Sequence, residues 1–431
     1  MLYKLIYKIG QRLRNPSLNE IYNNLKASEK FTLKELEGYQ SKKTLELVKF
    51  ANENSPFYQD LWRKNHVDIN NIKSLKDFSQ LPIITKRDLL KNRDQITISQ
   101  NIFKKTFKVT TSGSTGESLE FYREEFSDSF NRASVLRGYS WFGIQVWNRN
   151  GYFWGFNFSN FNRIKSQFLD KLQNRFRLFS YKTDDLQKFL KKLKKAKYLH
   201  GYSSMIYQIA KMINQEKIEK PLNLKMIKGT SEKIYQHYQE EVSKAFGLKI
   251  ISEYGAAETG IIAFECPHGK MHLNMEGVLV EEIDNEIIVT NLQLKNFPII
   301  RYKLGDYIKL AQKETECKCG MKHLILEEVT GRIGNTIYGK KNVYPSLYLY
   351  YIFKNLSSKN NILINHQVLQ NIKGELIFRI SEKLHGKELK LLNQEIRKYF
   401  SDDIKFTILE SQNIFSDKKE KLKNFISSID E

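Results

Sequence analysis

A short stretch rich in serine, threonine and glycine, TTSGSTGES over 110–118, has the residue types that can surround phosphate oxygens. It lies between a β-like run and a later helical run. Gly113 and Gly116 let the backbone approach a ligand closely, and the hydroxyls and amides around them can donate hydrogen bonds to an anion. The stretch is not a P-loop of the GxxxxGKS/T type, because no lysine follows Gly116. This composition is also typical of a flexible loop, so its neighbours must decide between the two interpretations.

A second segment, YGAAETG over 254–260, directly follows the apolar run KIIS. This order predicts a turn at the end of a strand, with Gly255 and Glu258 in the turn. The Glu258 carboxylate can there hold magnesium on the phosphates of ATP, and the Tyr254 ring can stack on a base. In isolation, a plain strand-to-loop turn explains the segment equally well.

Two further segments could bind a ribose. In PIIRYKLGD, Asp306 ends an arginine-containing β segment, so its carboxylate could accept hydrogen bonds from both ribose hydroxyls. Further along the chain, Gly331 and Arg332 belong to a predicted TGR turn. A single Arg-Tyr or Gly-Arg pair means little alone, so the order of all the segments matters more than any one of them.

All three cysteines lie in two clusters beside predicted turns, one in CPHGKMHL and two in ECKCG. Thiolates from Cys266, Cys317 and Cys319 together with one imidazole would suit tetrahedral zinc. The single residue between Cys317 and Cys319 is a tighter spacing than zinc knuckles usually have, so free buried thiols remain the alternative. A catalytic cysteine is not indicated, because no constellation of histidine and acid accompanies it.

The elements that position these segments follow from the hydrophobic pattern. Residues 1–92 have helical spacing and predict a helical lead-in. From Phe107, strand-like runs such as YFWGFNF and YLHGYSS alternate with helical runs such as KFLKKLKKAK, which indicates α/β layering with parallel strands. After Cys266, short β segments such as EIIVTN predict an antiparallel β subdomain. The predicted fold class is therefore α/β, with a large domain over 1–330 and a small α+β domain over 331–431.

Composition bounds the class of protein. The chain has 431 residues, of which 41% are hydrophobic, and this length favours two or three domains with cores of their own. The 70 Lys and Arg against 48 Asp and Glu give a net charge of +22, which admits nucleic acid, anionic membranes and phosphate-bearing substrates, although most such charge is solvated surface. No apolar run is long enough to span a bilayer. The three cysteines exclude a disulfide scaffold and suit a reducing cytoplasm.

The segment MLYKLIYKIGQRLRN over 1–15 predicts a short amphipathic basic helix. Its apolar residues are Leu2, Leu5, Ile6 and Ile9, and its basic residues are Lys4, Lys8, Arg12 and Arg14. The apolar part is too interrupted for a secretory signal, and no small-residue cleavage site follows. The helix could lie on an anionic membrane. The plainer interpretation is a helix that packs on the domain.

In order and separation, TTSGSTGES, YGAAETG, RYKLGD and the Gly-Arg pair resemble the adenylate-forming enzyme superfamily. Nearly the whole chain is similar to its phenylacetate:CoA ligase and capsular polysaccharide biosynthesis branch, through FANENSPFYQDLW, LPIITKRDLL, LHGYSSMIYQIA, IKGTSE and NVYPS. The resemblance implies a large AMP-binding domain, a small mobile C-terminal domain, and an ATP-dependent ligase that makes an acyl-AMP. The acyl group would then pass to CoA, another thiol or an amine.

The resemblance implies a role for each matching residue. The residues that would wrap the ATP phosphates are Ser112, Gly113, Ser114, Thr115 and Gly116. Those that would line the adenine are Tyr254, Gly255 and Ala256, and those that would grip the ribose are Asp306 and Arg332. Glu258 would coordinate magnesium, while Glu232 in GTSE matches an acidic position of undefined role. The catalytic residues would be Lys421, Glu258 and Thr115.

In this superfamily a C-terminal lysine, usually preceded by glycine, reaches the carboxylate and the α-phosphate during adenylation. The matching residue is Lys421 in EKLKNFIS, although Glu420 replaces the expected glycine. Lys419 and Lys423 are therefore rivals, and a plain charged tail is an alternative. The domain rotation of such enzymes would turn near the Gly-Arg pair, at Gly334, whose freedom in φ and ψ suits a hinge.

Cofactors and partners follow from the same resemblance. ATP and Mg²⁺ are expected, with a small carboxylic acid as substrate and CoA, an amino acid or an amino sugar as acceptor. For the zinc site the resemblance favours His272 over His268, with His323 as a weaker fallback. The enzyme is expected in the cytoplasm. Peripheral contact with the inner face of the membrane and a homodimer are left open, and nucleic acid is not expected as a partner.

The favoured setting is cell-surface polysaccharide biosynthesis, and three other functions stay open. One is an aryl-acid:CoA ligase of catabolism. Another is a basic nucleic-acid or membrane-binding protein on a degenerate ligase scaffold, which the net charge of +22 would allow. The last is a scaffold that binds ATP without turnover, which the departures at Gly334 and Glu420 suggest.

Overall fold

The structure is a computed structural model, and it describes residues 1–98, 102–111, 118–153, 160–178, 183–218, 221, 223–332, 336–360, 362, 364–381, 383–410 and 424–429. The chain divides into two compact units. The larger unit holds most of the chain up to Val329, and the smaller unit holds the chain from Thr330 together with Gly305–Tyr307. None of the described helices has the length and hydropathy that crossing a lipid bilayer requires.

Helices follow one another at the start of the chain, as the spacing of the apolar residues predicts. They are α1 (Leu2–Arg14), α2 (Leu18–Ser28), α3 (Leu33–Asn54), α4 (Pro56–Lys64), a 3-10 turn (Ile69–Asn71), α5 (Leu75–Phe78), α6 (Lys86–Lys91) and α7 (Arg93–Ile96). Local residues decide where they begin. The Thr32 hydroxyl accepts from the Glu35 N–H at 3.3 Å, while the Glu35 carboxylate accepts from the Thr32 N–H at 2.7 Å, which caps α3. Pro56 opens α4, where no backbone donor is needed.

A single large sheet follows these helices. Its strands are β3 (Asn150–Phe153), β4 (Arg175–Arg177), β5 (Tyr198–Tyr202), β6 (Met226–Thr230), β7 (Ile250–Ala256), β8 (Gly260–Glu265), β9 (Met271–Leu273), β10 (Val278–Ile283), β11 (Glu286–Asn291), β12 (Tyr302–Leu310) and β13 (Ile325–Arg332). Their order across the sheet is β10-β11-β12-β13-β9-β8-β7-β6-β5-β3-β4. The helices between its first strands are α9 (Asn160–Leu172), α10 (Thr183–Leu193), α11 (Ser203–Gln215) and α12 (Gln236–Phe246).

The predicted α/β fold is confirmed, and its parallel and antiparallel parts are halves of one sheet. The strands β4, β3, β5, β6 and β7 pair in parallel. The pairing changes at β7, which is antiparallel to β8. Beyond that point β8 pairs antiparallel with β9, and β9 with β13. The strand β7 therefore joins the two patterns that the sequence predicts separately.

The first predicted strand after the helical lead-in does not belong to this sheet. The strands β1 (Thr106–Thr110) and β2 (Glu120–Glu124) form a separate antiparallel pair, so the expectation of a parallel strand at KVT is wrong. The chain reverses between them and continues into α8 (Glu125–Trp141). An antiparallel pair needs only a short connection, whereas a parallel pair needs a crossover.

The first helices share a core with strands that come much later in the chain. The Tyr58 hydroxyl donates to the Pro298 carbonyl at 2.9 Å and accepts from the Ile300 N–H at 3.2 Å. The Gln40 side-chain amide donates to the Val278 carbonyl at 2.7 Å. Trp62 packs in the same core and is 2% exposed. The lead-in is thus part of the large unit and not an appendage to it.

The smaller unit is an α+β layer, as predicted. Its elements are β14 (Thr336–Tyr338), β15 (Val343–Pro345), α13 (Leu347–Asn360), β16 (His366–Gln370), β17 (Glu375–Ile380), α14 (Gly386–Phe400), β18 (Lys405–Glu410) and β19 (Phe425–Ser427). The order β18-β17-β16-β19 forms one sheet, and β14 pairs with β15 in another. Its core joins the helices to the strands through Ile352, Leu356, Phe378, Leu392 and Ile396.

Candidate active site and metal centre

The described ends of the predicted phosphate-binding stretch adjoin the β1–β2 pair. Its ends are tied together, because the Thr111 N–H donates to the Leu119 carbonyl at 2.9 Å and the Leu119 N–H donates to the Thr111 hydroxyl at 2.9 Å. The Ser118 hydroxyl adds a bond to the Thr111 carbonyl at 2.7 Å. The predicted ligands Ser112, Gly113, Ser114, Thr115 and Gly116 lie outside the described residues.

The YGAAETG segment is placed differently from its prediction. Tyr254, Gly255 and Ala256 are the last residues of β7, and the turn comes only after them, at Glu258. The strand is longer because Gly255 and Ala256 still pair with β8. A Cβ atom on Gly255 would lie 2.3 Å from the Gly260 carbonyl oxygen, so only glycine allows this approach. The expectation that Gly255 lies in the turn is wrong.

Glu258 is the buried acid of this turn, and it is 3% exposed. The turn is held by its backbone, since the Arg123 guanidinium donates to the Ala257 carbonyl at 2.6 Å and the Asn291 amide donates to the Glu258 carbonyl at 3.3 Å. Burial lowers the pKa of Arg123, and the negative charge of Glu258 is one of those that oppose this lowering. Within the described chain, no hydrogen bond or ion pair ends on the Glu258 carboxylate. A buried carboxylate in this state is suited to a cation.

The two ribose candidates lie inside strands. Asp306 is in the middle of β12 and is 8% exposed, so the expectation that it ends a strand is wrong. Gly331 and Arg332 are the last residues of β13 and not a turn.

Glu232 anchors one end of a helix. Its carboxylate accepts from the Ser204 N–H at 2.9 Å, in the first turn of α11, where backbone donors lack partners within the helix. The Ser203 hydroxyl donates to the Glu232 carbonyl at 3.4 Å. These contacts give Glu232 a positioning role for the IKGTSE segment. Lys419, Glu420, Lys421 and Lys423 lie outside the described residues, as does the hinge candidate Gly334.

The three cysteines and His272 come together in one cluster. Cys266 directly follows β8, His272 lies in β9, and Cys317 and Cys319 lie in the connection from β12 to β13. The sulfurs of Cys266 and Cys317 are 3.6 Å apart, the Cys319 sulfur is 3.2 Å from His272 Nε2, and all four donor atoms lie within 4.8 Å of one another. Ligands on one zinc ion are separated by roughly 3.6–3.8 Å, given Zn–S and Zn–N bonds of about 2.3 and 2.0 Å.

The imidazole of His272 is oriented as a metal ligand would be. Its Nδ1–H donates to the His323 carbonyl at 3.2 Å, so Nε2 carries the lone pair that faces the sulfurs. Burial lowers the pKa of His272 to about 4, which keeps the ring neutral. Burial raises the pKa of the Cys266 thiol and raises that of Cys319 to about 12. The donor set and the hydrogen bond from His272 to the His323 carbonyl fit zinc.

The other two histidines weighed for this site lie elsewhere. His268 is exposed in the turn between β8 and β9. His323 points its ring at Glu276, with Nε2 2.9 Å from the carboxylate, and supports the cluster through its carbonyl. Glu276 also accepts from Arg137 Nη1 at 2.7 Å. Although burial alone would raise it, the charges of Arg137 and His323 hold the pKa of Glu276 below its ordinary range.

Sequence reasoning missed this buried network of Arg137, Glu276 and His323. The arginine is 139 residues from the glutamate, and the histidine is 47 residues from it. Each stands in a segment that has the composition of a half-exposed strand or helix. Only the tertiary fold brings them together, so no local signal could have found them.

The fold of this chain is shared with a solved CoA ligase. A solved structure of 2-hydroxyisobutyryl-CoA ligase in the postadenylation state with R3-HIB-AMP matches with a TM-score of 0.70 at 15% identity, over 92% of this chain and 90% of that one. The same ligase in an open conformation with 2-HIB-AMP and CoA matches with a TM-score of 0.59 at 16% identity, over 90% of each chain.

The sequence comparisons add a particular relative. Protein CapK of Staphylococcus aureus is 25% identical over 378 residues, which cover 79% of this chain and 82% of CapK. The sequence matches no protein-family model.

Proposed function

We propose that this protein is an ATP-dependent ligase that adenylates a carboxylic acid and passes the acyl group to an acceptor, with CoA first among the acceptors. The observation that carries the proposal is the fold shared with 2-hydroxyisobutyryl-CoA ligase over 92% of this chain. That enzyme has been solved with an acyl-adenylate and with CoA. The buried Glu258 in the turn after β7 adds a chemical reason of its own.

In the first half-reaction, a carboxylate oxygen of the acid attacks the α-phosphorus of ATP, and the bond to pyrophosphate breaks. Two anions approach each other, so cations and amide donors must offset the charge of the transition state. Glu258 would hold Mg²⁺, which supplies positive charge on the phosphates. The loop at 112–116 would donate its amides and hydroxyls, and Lys421 would meet the carboxylate and the α-phosphate. Asp306 and Arg332 would bind the ribose.

In the second half-reaction, the sulfur or nitrogen of the acceptor attacks the acyl carbon, and AMP leaves. We propose cell-surface polysaccharide biosynthesis in the cytoplasm as the setting, supported by the similarity to CapK at 25% identity. Amino sugars are then acceptors to test beside CoA. An aryl-acid:CoA ligase is the alternative, and it would accept CoA alone.

We also propose a structural zinc ion in the cluster of Cys266, His272, Cys317 and Cys319. Its support is the tetrahedral donor set and the hydrogen bond from His272 to the His323 carbonyl. Zinc would tie the turn after β8 to the connection between β12 and β13. Thiolate ligands persist in a reducing cytoplasm.

The test is a panel of carboxylic acids assayed for exchange of pyrophosphate into ATP, followed by incubation of each active acid with CoA, amino acids or amino sugars. We expect one chemical class of acid to support exchange and one acceptor to release AMP in step with product. Exchange with no acid of a broad panel, while ATP binds, would contradict the proposal. Product with CoA only would favour the aryl-acid ligase when the acid is aromatic.

A further inference from the structure

Helix α1 exposes its apolar face and contacts the rest of the large unit with its opposite face. Its apolar stripe faces solvent, with Leu2, Leu5, Ile9 and Leu13 exposed at 64, 58, 51 and 75%. These residues recur every three or four positions, so they lie on one face of the helix. A surface helix of a globular protein normally buries that face. The helix packs on the large unit, as the plainer interpretation of the sequence expects, but its apolar stripe is left exposed.

The opposite face of α1 holds it in this orientation. Gln11 is buried, and the Tyr7 ring packs on Trp147 with centroids 5.6 Å apart. At the end of the helix, the Lys105 ammonium donates to the Leu13 carbonyl at 2.6 Å, and the Arg14 guanidinium lies 4.1 Å from the centre of the Phe107 ring. Contacts at both ends of the helix thus keep the stripe outward.

The helix itself carries only positive charge, although its Arg14 lies 3.9 Å from the Asp128 carboxylate. Helix α1 has no acidic residue and carries Lys4, Lys8, Arg12 and Arg14. Beside it lies a cavity of about 380 Å³ that α1 lines through Tyr3. The basic residues of this cavity are Arg149, Lys171, Arg175, Arg177, Lys188 and Lys192, and its acidic residue is Asp170.

That single acid is already engaged. Asp170 accepts from Arg175 Nε at 2.6 Å and from Arg177 Nε at 2.9 Å, so it cannot neutralise the other cations. The Nε of Arg149 is buried and has no hydrogen-bond partner in the described part of the chain. A buried donor without a partner costs free energy. The cavity is therefore suited to an anion.

A second exposed apolar pair lies beside the same cavity. On α9, Phe168 and Leu169 are 63% and 43% exposed, and in the chain they stand between Gln167 and Asp170, which both line the cavity. The cavity is thus flanked by exposed apolar residues from α1 and from α9. We call the α1 stripe, this α9 pair and the basic cavity the docking surface.

We propose that the docking surface binds a lipid bilayer that contains anionic phospholipids. The apolar residues enter the boundary between headgroups and acyl chains, the basic residues of α1 face the lipid phosphates, and the cavity receives one headgroup phosphate. A second copy of this chain fits poorly, because each copy carries a net charge of +22 and the same basic surface. An anionic surface with an apolar interior satisfies both parts of the docking surface at once.

The test is flotation of the full-length protein with vesicles of phosphatidylcholine alone or with about 30 mol% phosphatidylglycerol. We expect binding to the mixed vesicles that weakens as salt rises, because salt screens the charges. Ile9→Glu should lower the partition coefficient at least about tenfold, because it removes the burial of one large apolar side chain. The double variant Lys188→Gln, Lys192→Gln should lower it about fivefold per residue.

Ile372→Glu is the matched control, since Ile372 is 61% exposed in the smaller unit and the substitution makes the same change of charge. It should bind vesicles like the original protein. All these residues are exposed, so we expect each variant to unfold at the same temperature as the original protein, which confirms that it is folded. Should Ile9→Glu fail to fold, Leu13→Glu takes its place in the experiment. Equal binding to both vesicle types, no binding at low salt, or Ile9→Glu binding at full strength would overturn the proposal. Dimerisation through this surface, detected as a mass change that Ile9→Glu abolishes, would overturn it as well.

Discussion

At the scale of the residue, Glu258 differs from the other buried acids of the large unit. Glu276 is paired with Arg137, and Glu253 accepts from the Lys228 ammonium at 2.7 Å. Asp170 is held by two arginines. Glu258 forms no ion pair of this kind with the described residues, although it is 3% exposed and the Arg123 guanidinium is close enough to interact with its charge. A carboxylate is stable in this position when a cation from outside the chain joins it.

Glu258→Gln should therefore lower the rate of pyrophosphate exchange by about 10²–10³, since one charge of a preorganised site is lost. The magnesium concentration for half-maximal rate should rise in the same variant, which a merely structural role would not cause. Glu265→Gln is the control, because Glu265 is a partly buried carboxylate at the other end of β8. An exchange rate within a factor of a few of the original would contradict the assignment.

Two glycines make a contrasting pair. A methyl group on Gly255 would meet the Gly260 carbonyl at 2.3 Å, so Gly255→Ala must push β7 from β8 and should cost about 1–3 kcal/mol. Gly38 lies inside α3 with open space around it, so Gly38→Ala should add about 0.5–1 kcal/mol to the free energy of unfolding. Denaturant unfolding measures both. Equal changes of the same sign in the free energy of unfolding would show that the local geometry around each glycine does not determine the effect of the substitution.

At the scale of the element, the cysteine and histidine cluster links parts of the sheet that are far apart in sequence. Cys266 and Cys317 are separated by 51 residues. A cross-link at this point closes the connection between β12 and β13 onto the turn after β8. The cluster thus fastens a long connection that has no regular structure of its own.

We expect one zinc ion per chain by elemental analysis of protein purified without added metal. Cys319→Ser should lose the ion and lower the melting temperature by about 2–3 °C, the shift expected for about 2 kcal/mol in a chain of this size. His268→Ala is the matched control, since it removes an exposed imidazole from the turn before β9 and should keep both metal and stability. Full zinc content in Cys319→Ser would exclude the proposed ligand set.

The sequence predicts an element well when the residues that determine it are neighbours along the chain, and poorly when they are far apart. The alternation of strands and helices is a local signal, and it is found as predicted. The cluster of cysteines and His272 could be predicted because cysteines are rare in the chain and their chemistry is specific. The predicted end of β7 was wrong because Gly255 allows a close approach of two strands and does not mark a turn. The outward face of α1 could not be predicted, since hydrophobic spacing gives a face and not the partner that covers it.

At the scale of the whole molecule, the proposed reaction draws on residues from the entire length of the chain. The phosphate loop at 112–116 precedes Glu258 by more than a hundred residues, and Lys421 belongs to the predicted domain 331–431. The resemblance to a superfamily could name these residues because it relies on order along the chain. It could not give their geometry, which depends on tertiary contacts.

Lys421→Ala should lower pyrophosphate exchange by about 10²–10³, because a cation that meets the α-phosphate is removed. The rivals supply the controls: Lys419→Ala and Lys423→Ala change the same charge within two positions and should keep most of the activity. Loss of exchange in Lys423→Ala with normal activity in Lys421→Ala would move the catalytic role to Lys423. Full activity in all three variants would mean that the tail is only charged surface.

The shared core of the first helices and the late strands has a consequence for biosynthesis. Tyr58 finds its partner at Pro298, 240 residues further along, so the nascent helices α3 and α4 must wait for that part of the chain. At about 5–20 residues per second, the delay is roughly 10–50 s. During that interval their apolar faces are accessible to chaperones on the ribosome, and also to the same faces of neighbouring nascent chains.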